Sequence, residues 1–468
     1  MITIDGRRWR LAPGADPVLA ETLIRRAMDA VDRGEARNVK TGRRKRLYPL
    51  MLRDGDRPDH LLKIKEYQFF HGILRMVRRS SARREFDLAF ALARSGFPVA
   101  PPLAVGEERR AGRLIACYLL CAILDDVVDL RRLLADPDLR PARRRALVTA
   151  FGAFSRAVHD AGLYQDDYAP NNFLVRRGDP PSFILIDFER AHLARPIRRS
   201  RRLWMLAKLD RHGLGSSASE RLRFLKAYSG GSPEEAKRLW LELDRMAARL
   251  AWRDFRRMKL ISAAEGRRFR HVRENGCLVW ATRDVAIPWD LLQTQEGGPP
   301  GPRLRVAGER WILDYGPLSE FAARRVWALS NTLWTWGALV PRPIFLARRP
   351  GTVLLGLVRE PSARMLPGVA DPDAAVNALI ILLDELGSVG EIDPALRPDD
   401  IAVVPSAGGT LRALLLAPHR FRFRRSAVRD HHARARAQAR ALLSGMARPV
   451  SGGTHLDPGI QAPAAADR

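Results

Sequence analysis

The sequence predicts an α+β protein in which a strand-rich lobe carrying one helix is followed by a helical lobe and then by a second, similar domain. Three observations carry that expectation. A chain of 468 residues is too long for one compact core, so two domains are the default. Along the first half, strand-like runs surround a single helix and then give way to long helical runs broken by one hairpin. The second half repeats the first, weakly, at a shift of 241 residues. In the 21 positions 82–102, eight carry the same residue at that shift, Gly96–Gly337 and Pro102–Pro343 among them, where chance would give about two.

Composition bounds the rest. A chain 46% hydrophobic and 28% charged is of the soluble globular kind. Nothing approaches the ~18–20 uninterrupted apolar residues of a bilayer-spanning helix, and the longest candidate, residues 114–124, is strand-like. The opening MITIDGRRWR puts charge where a secretion signal needs an apolar core, so a cytoplasmic location is expected. Cys117, Cys121 and Cys277 have neither a disulfide framework nor zinc spacing, and the first two read as buried, inert thiols. The net charge of +28 suits nucleic acid, an acidic membrane surface or a phosphorylated substrate. It is overwhelmingly arginine, which reflects a coding preference as readily as a binding surface. Charge alone does not choose.

In chain order, a helix is expected over residues 18–31 and strand-like pieces at 38–41 and 47–52. Asp54-Gly55 is a hairpin signal leading into a strand at 60–65. Helical periodicity over 81–95 puts Phe86, Leu88, Ala89, Leu92 and Ala93 on one face, and Gly96 closes it. Strands follow at 103–105 and 114–123, then helices at 129–134 and 142–161. The next hairpin pairs 173–175 with 183–186 across Gly178-Asp179-Pro180-Pro181. From 198 to about 259 the pattern is helical and basic, with a loop at 213–216. The expected domains are 1–262, with lobes dividing near 122, then 263–440, then a Gly-, Pro- and Ala-rich disordered tail at 441–468.

Chemistry concentrates in Tyr164-Gln165-Asp166-Asp167-Tyr168-Ala169-Pro170-Asn171-Asn172. An aspartate followed five residues later by asparagine, at the mouth of a hairpin, suits phosphoryl transfer. The carboxylate accepts the proton of an attacking hydroxyl, and the amide oxygen holds magnesium against the phosphates. Asp166 with Asn171 has the same spacing as Asp167 with Asn172. Asp187 ends the second hairpin strand after four apolar residues, well placed to bind the same metal. Upstream, Lys63 on a strand can reach nucleotide phosphates, and Glu85 on the following helix can hold that lysine; Lys65 is a rival two places on. Each residue alone has a plainer account as a solvated lysine, a helix-surface charge, a turn or a strand cap. All five in order on suitable elements do not. His159 reads as packing a helix end, and no Walker-type loop is present.

This set resembles the protein-kinase-like superfamily, and most closely the bacterial lipopolysaccharide core kinases that phosphorylate heptose or Kdo. Leu61-Leu62-Lys63, Arg84-Glu85-Phe86, Gly96-Phe97-Pro98-Val99 and Pro102-Leu103 are similar to that family's N-lobe. His159-Asp160-Ala161-Gly162-Leu163 followed by Asp167 and Asn172 is similar to its catalytic loop, Ile186-Asp187 to its metal strand, and residues 201–209 to its arginine-rich helix. The resemblance spans roughly residues 35–215. A kinase catalytic loop has its Asn opening the strand and its Pro two places earlier, which selects Asp167 with Asn172. The resemblance implies a bilobal protein-kinase-like fold (small β-rich N-lobe, helical C-lobe), with ATP and Mg2+ as cofactors. Asp167 would be the catalytic carboxylate, Lys63 would bridge the α- and β-phosphates, Glu85 would position Lys63, and Asn172 and Asp187 would hold the metal. Three departures stand out: Gln165 where these kinases usually carry His, Glu189 where protein kinases carry Gly, and a nucleotide-covering loop with only Gly42.

At the shift of 241, Glu85 falls on Val326, and the Lys63 strand corresponds to residues 311–314, which hold no lysine. Matching Pro170 with Pro398 puts Asp167 on Ala395, Asn172 on Asp400 and Asp187 on Ala417. The second domain is therefore expected to be a degenerate kinase-like copy used for packing, substrate docking or membrane contact. The expected activity is ATP- and Mg-dependent phosphorylation of a sugar hydroxyl, heptose or Kdo, of the lipopolysaccharide inner core. Expected partners are that core or another phosphorylated glycolipid, and the acidic inner-membrane surface to which the protein would attach peripherally. Arginines 195, 198, 199, 201 and 202 would bind the acidic groups. Nucleic acid is disfavoured. The alternatives are a small-molecule kinase of aminoglycoside-phosphotransferase type, a protein kinase, and a non-catalytic scaffold that binds acidic membrane or nucleic acid. The first wants an acidic acceptor pocket and the second a glycine-rich loop, neither of which this sequence suggests.

Overall fold

A computed structural model describes the chain except at residues 40–44, 54–56, 70–71, 73–75, 77, 137, 177, 179, 195, 212–217, 294–302, 338, 406–409, 425–430 and 447–468. It divides into two compact units, Met1–Leu250 and Ala251–Arg468. The division falls inside a helix, Pro233–Ala263, earlier in the chain than the boundary expected at 262/263.

The first unit opens with β1 (Ile2–Ile4), β2 (Arg7–Leu11), α1 (Pro17–Asp32), β3 (Lys45–Leu50), β4 (His60–Glu66), α2 (Ser81–Arg94), β5 (Pro102–Arg110) and β6 (Arg113–Ala122). Its six strands form one antiparallel sheet in the order β1-β2-β5-β6-β4-β3. Local chemistry sets the helix limits. Asp16 accepts the Val18 N–H at 2.9 Å, and Pro17 sits where a missing N–H costs nothing. Ser80 accepts the Arg83 N–H at 3.1 Å to start α2, and Gly96, at φ +80°, ends it. Gly106 is required by packing, because a Cβ there would lie 2.8 Å from the Trp9 indole.

Alternation along the strands decides what each face carries. Leu62, Ile64, Ala104, Ala116, Tyr118 and Leu120 pack with Leu23, Ile24 and Met28 of α1 on one face. Val105, Cys117 and Leu119 pack with Ala82 and Phe86 of α2 on the other. Lys63 and Lys65, out of phase with Leu62 and Ile64, therefore face α2.

The helical lobe continues with β7 (Val127–Asp129), α3 (Leu130–Leu134), α4 (Pro141–Asp160), β8 (Leu163–Gln165), β9 (Phe173–Arg176), β10 (Ser182–Leu185), β11 (Ala191–Leu193), α5 (Arg199–Arg211), α6 (Ala218–Tyr228) and α7 (Pro233–Ala263). Phe151 of α4 centres its core, with Phe173 at 4.9 Å, Phe183 at 5.1 Å and Phe224 at 5.7 Å between ring centroids. This cluster ties the β9–β10 hairpin to α4 and α6.

Several expectations shift. Asn38 and Val39 are not in a strand, since the Asn38 side chain takes the Leu47 N–H at 3.2 Å. β3 starts and ends two residues earlier than expected. Ala93 lies exposed rather than on the buried face of α2, and Cys121 is half-buried rather than buried. Ile186 leaves the ladder because its N–H goes to the Asn172 carbonyl at 3.1 Å. Residues 441–446 are helical, not disordered. The Asp54-Gly55 turn, Lys40, Thr41, Gly42, Asp179 and the loop at 213–216 lie outside the described residues.

The second unit has β12 (Phe269–Glu274), β13 (Cys277–Thr282), α8 (Trp289–Gln293), β14 (Arg303–Ala307), β15 (Arg310–Asp314), α9 (Glu320–Thr335), β16 (Pro343–Arg349) and β17 (Thr352–Val358). Its sheet runs β12-β13-β16-β17-β15-β14, the order of the first sheet. Beyond it come β18 (Arg364–Met365), α10 (Pro372–Val389), β19 (Gly390–Ile392), β20 (Ile401–Pro405), β21 (Leu411–Leu415), β22 (Phe421–Phe423) and α11 (His431–Met446). Hydrogen bonds repeat too. Leu415 N–H donates to Leu339 as Leu185 does to Pro98, and Leu416 to Asp400 as Ile186 does to Asn172.

Candidate active site

The site of the first unit begins on β4. Lys63 points at α2, and its Nζ lies 2.6 Å from Glu85 Oε1 with both side chains largely buried. Burial pushes the Lys63 ammonium toward neutrality, but the Glu85 carboxylate, helped by Asp187, more than offsets this and its pKa stands raised. Lys63 therefore stays charged. Two residues on, Lys65 bonds Glu189. Lys45, opposite Lys65 in the β3–β4 register, reaches the same Glu189 at 3.1 Å and Asp187 at 3.6 Å. Burial would raise the Glu189 pKa, yet bonds from Lys65 and the charge of Lys45 bring it to about 2. Lys63 and Lys65 thus have two different partners, Glu85 and Glu189.

The loop between β8 and β9 supplies the remaining groups. A single 3-10 turn, Pro170–Asn172, reverses the chain. Buried Asn172 donates from Nδ2 to the Asp167 carbonyl at 2.6 Å, closing the loop on itself. Asp166 and Asp167 have different surroundings. Lys208 of α5 donates to Asp166 Oδ1 at 3.0 Å and to its carbonyl, whereas the Asp167 carboxylate is exposed. Asp187 follows β10 at φ +60°, and its carbonyl accepts from Gln165 Nε2 at 2.9 Å. His159 is fully buried, with Nδ1 2.8 Å from Tyr228 Oη. Burial, with Arg202 adding, lowers its pKa to about 3, so it is a neutral packing group.

Asn172 commits its amide nitrogen to the loop, which leaves Oδ1 as an acceptor contacted by Asn171 at 3.5 Å. With the partly exposed Asp187 carboxylate this makes a pair of hard oxygen donors suited to Mg2+. The residues fit the ion that the sequence implies.

The arginine run does not form one free basic surface. Arg199 pairs with Glu235 at 2.9 Å and Glu242 at 3.0 Å, and Arg202 with Asp160 at 2.5 Å. Arg201 lies over the Tyr164 ring at 5.3 Å, Arg198 is exposed, and Arg195 lies outside the described residues. Two of the five arginines are thus held by carboxylates from the helical lobe.

Sequence reasoning missed Lys45 and Lys208 and saw Glu189 only as a departure. One signal marked them. The chain has eight lysines against 72 arginines, and Lys45, Lys63, Lys65 and Lys208 all stand around these loops. In the second unit Val326, Ala417 and Asp400 stand where the first has Glu85, Asp187 and Asn172. Asp400 is 3.6 Å from Arg420, and Tyr315 packs edge-on against His419 at 5.1 Å.

A sheet-rich lobe whose strand lysine pairs with a helix glutamate, joined to a helical lobe bearing an Asp–Asn loop and a strand-end aspartate, is the protein-kinase-like fold. Residues 30–228 match the model of the Lipopolysaccharide kinase (Kdo/WaaP) family, so this segment is similar to that family. Among solved structures, "WaaP in complex with acyl carrier protein" is similar at 22% identity and TM-score 0.40, covering 52% of this chain and 99% of that one. The bifunctional kinase-methyltransferase WbdD is similar at 17% identity and TM-score 0.28, covering 51% and 46%. A divergent kinase of the Toxoplasma parasitophorous vacuole, lacking the glycine-rich loop, is similar at 14% identity and TM-score 0.21, covering 40% and 60%. No curated protein matches the chain.

Proposed function

We propose that this protein is an ATP- and Mg2+-dependent kinase that phosphorylates a sugar hydroxyl, heptose or Kdo, of the lipopolysaccharide inner core. The observation that carries the reading is the buried Lys63–Glu85 pair at 2.6 Å on a segment similar to the lipopolysaccharide kinase family. Lys63, kept charged by Glu85, binds the α- and β-phosphates. Asp167, exposed at the loop edge and distinct from the lysine-bound Asp166, orients the acceptor hydroxyl and takes its proton, worth on the order of 10²–10⁴ in rate. Asn172 and Asp187 hold Mg2+, which supplies positive charge against the phosphates when bound. The basic groups left exposed, Arg198 and Arg201, face acidic groups of a phosphorylated glycolipid at the cytoplasmic side of the inner membrane.

The second unit is read as a degenerate kinase-like domain with a packing or docking role. Its sheet order repeats that of the first, while Val326 and Ala417 take the places of Glu85 and Asp187 and no lysine follows Lys259.

Incubation with labelled ATP and extracted lipopolysaccharide lacking core phosphate tests the reading. Transfer by the wild type, lost in Asp167→Asn, is expected. Nucleotide binding without transfer to any glycolipid would sink it.

A further inference from the structure

Arginine is the default cation of this chain, at 72 to eight lysines. A position that keeps lysine is one where a compact, mobile ammonium is wanted instead of a planar fork. Lys63 has such a use in its pair with Glu85. Lys65 and Lys45 are less economical, since both point at one carboxylate, Glu189. Lys45 also reaches past it to Asp187.

Around this space three ammonium groups, of Lys45, Lys63 and Lys65, face three carboxylates, of Glu85, Asp187 and Glu189. The set is neutral as it stands. Lys45 cannot keep its place by Asp187 once that carboxylate takes a divalent cation, because like charges a few ångströms apart repel strongly. Glu189 is not stranded when Lys45 leaves, since Lys65 remains on it. Residues 38–45, NVKTGRRK, contain one glycine, so the sequence before β3 is not of the glycine-rich kind that cradles phosphates.

We propose that Lys45 is a nucleotide-phosphate ligand, held between Asp187 and Glu189 before nucleotide arrives and released to the terminal phosphates when Mg2+ and nucleotide bind. Glu189 is then a positioning residue, which stores Lys45 and fixes Lys65. This rests on the kinase reading above and gives Lys45 a role at the same site.

Equilibrium binding of ATP and AMP, each with Mg2+, to the full chain carrying Lys45→Ala or Lys45→Arg tests it. Lys45→Ala is expected to weaken ATP at least tenfold while leaving AMP within twofold, and Lys45→Arg, which puts a planar fork where a compact ammonium stood, to weaken ATP by about threefold or more with AMP likewise unchanged. Unchanged AMP binding also shows that the variant is folded. Wild-type ATP affinity in Lys45→Ala, beside a Lys63→Ala variant that has lost it, would overturn the Lys45 assignment and leave the kinase intact. Equal loss of ATP and AMP in Lys45→Ala would overturn it too, as the mark of a structural role. No binding of ATP by the wild type would remove both readings.

Discussion

Gln165 donates from Nε2 to the Asp187 carbonyl at 2.9 Å, so a fully buried glutamine at the end of β8 holds an aspartate in the left-handed region at φ +60°. Asp187 has no glycine's freedom there, and the bond offsets part of the backbone strain. Gln165 Oε1, by contrast, is buried without a partner among the described residues. Gln165→Leu should cost about 1–3 kcal/mol by stranding the carbonyl, with Mg2+-dependent nucleotide binding weakened alongside. Gln165→His, with a ring N–H for the same carbonyl and no second orphaned oxygen, should keep both. Denaturant unfolding and nucleotide titration check this, and equal loss in the two variants would show that shape, not the hydrogen bond, matters at 165.

The Lys63–Glu85 pair makes a different prediction, because each partner is there to keep the other charged and in place. Glu85→Ala leaves a buried ammonium uncompensated and should cost about 3–5 kcal/mol of stability. Lys63→Met removes the charge itself and should lower kcat/KM for ATP on the order of 10²-fold. A double variant should be more stable than Glu85→Ala alone, since the uncompensated charge is gone. Thermal unfolding of the three variants decides it, and simple additivity would contradict the pairing.

What the sequence revealed and hid follows from distance along the chain. Lys63 and Glu85 lie on strongly patterned elements whose limits a period of two or 3.6 can locate, and Asn172 and Asp187 flank the two strands of a hairpin located the same way. Lys45 lies at the start of a strand expected only from residue 47, and its partner Glu189 is 144 residues away. No local pattern links them. The arginine run shows the same limit. Its charge is plain in the sequence, but Glu235 and Glu242, which neutralise Arg199, arrive 36 and 43 residues later on α7. The strand order of the second unit is legible only where glycine and proline punctuate it, as at Gly337 and Pro343.

Acid should destabilise the first unit through His159. Its ordinary value of 6.5 is lowered to about 3 by burial and then by Arg202, so the folded state holds the neutral ring. The stability this confers is complete above pH 6.5 and is lost as pH falls below it, at about 1.4 kcal/mol per pH unit. By pH 5 the loss is about 2 kcal/mol. His159→Gln, which can still pair with Tyr228, should be less stable than wild type at pH 7.5 and lose less on going to pH 5. A gap between the two proteins that stays constant across that range would show that His159 does not titrate with unfolding.

Asp187→Ala should silence the whole chain and not half of it. In the first unit, Asp187 is one of the two oxygen donors proposed to hold Mg2+, and its loss should lower turnover by on the order of 10²–10³ or more. The second unit offers no replacement. Ala417 stands at the place of Asp187, fixed by the matching bonds from Leu416 to Asp400 and from Ile186 to Asn172. Val326 replaces Glu85 on α9, and no lysine exists beyond Lys259 to meet a phosphate. Tyr315, buried against His419, occupies the end of β15 with an aromatic ring. Restoring the carboxylate alone, by Ala417→Asp in the Asp187→Ala background, should therefore recover no turnover, because Val326 and Ala395 still stand at the places of Glu85 and Asp167 and residues 311–314 hold no lysine. ATP turnover and Mg2+-dependent nucleotide binding of the single and double variants measure this. Residual activity above about a tenth of wild type in Asp187→Ala would mean that chemistry does not depend on the first unit's metal strand.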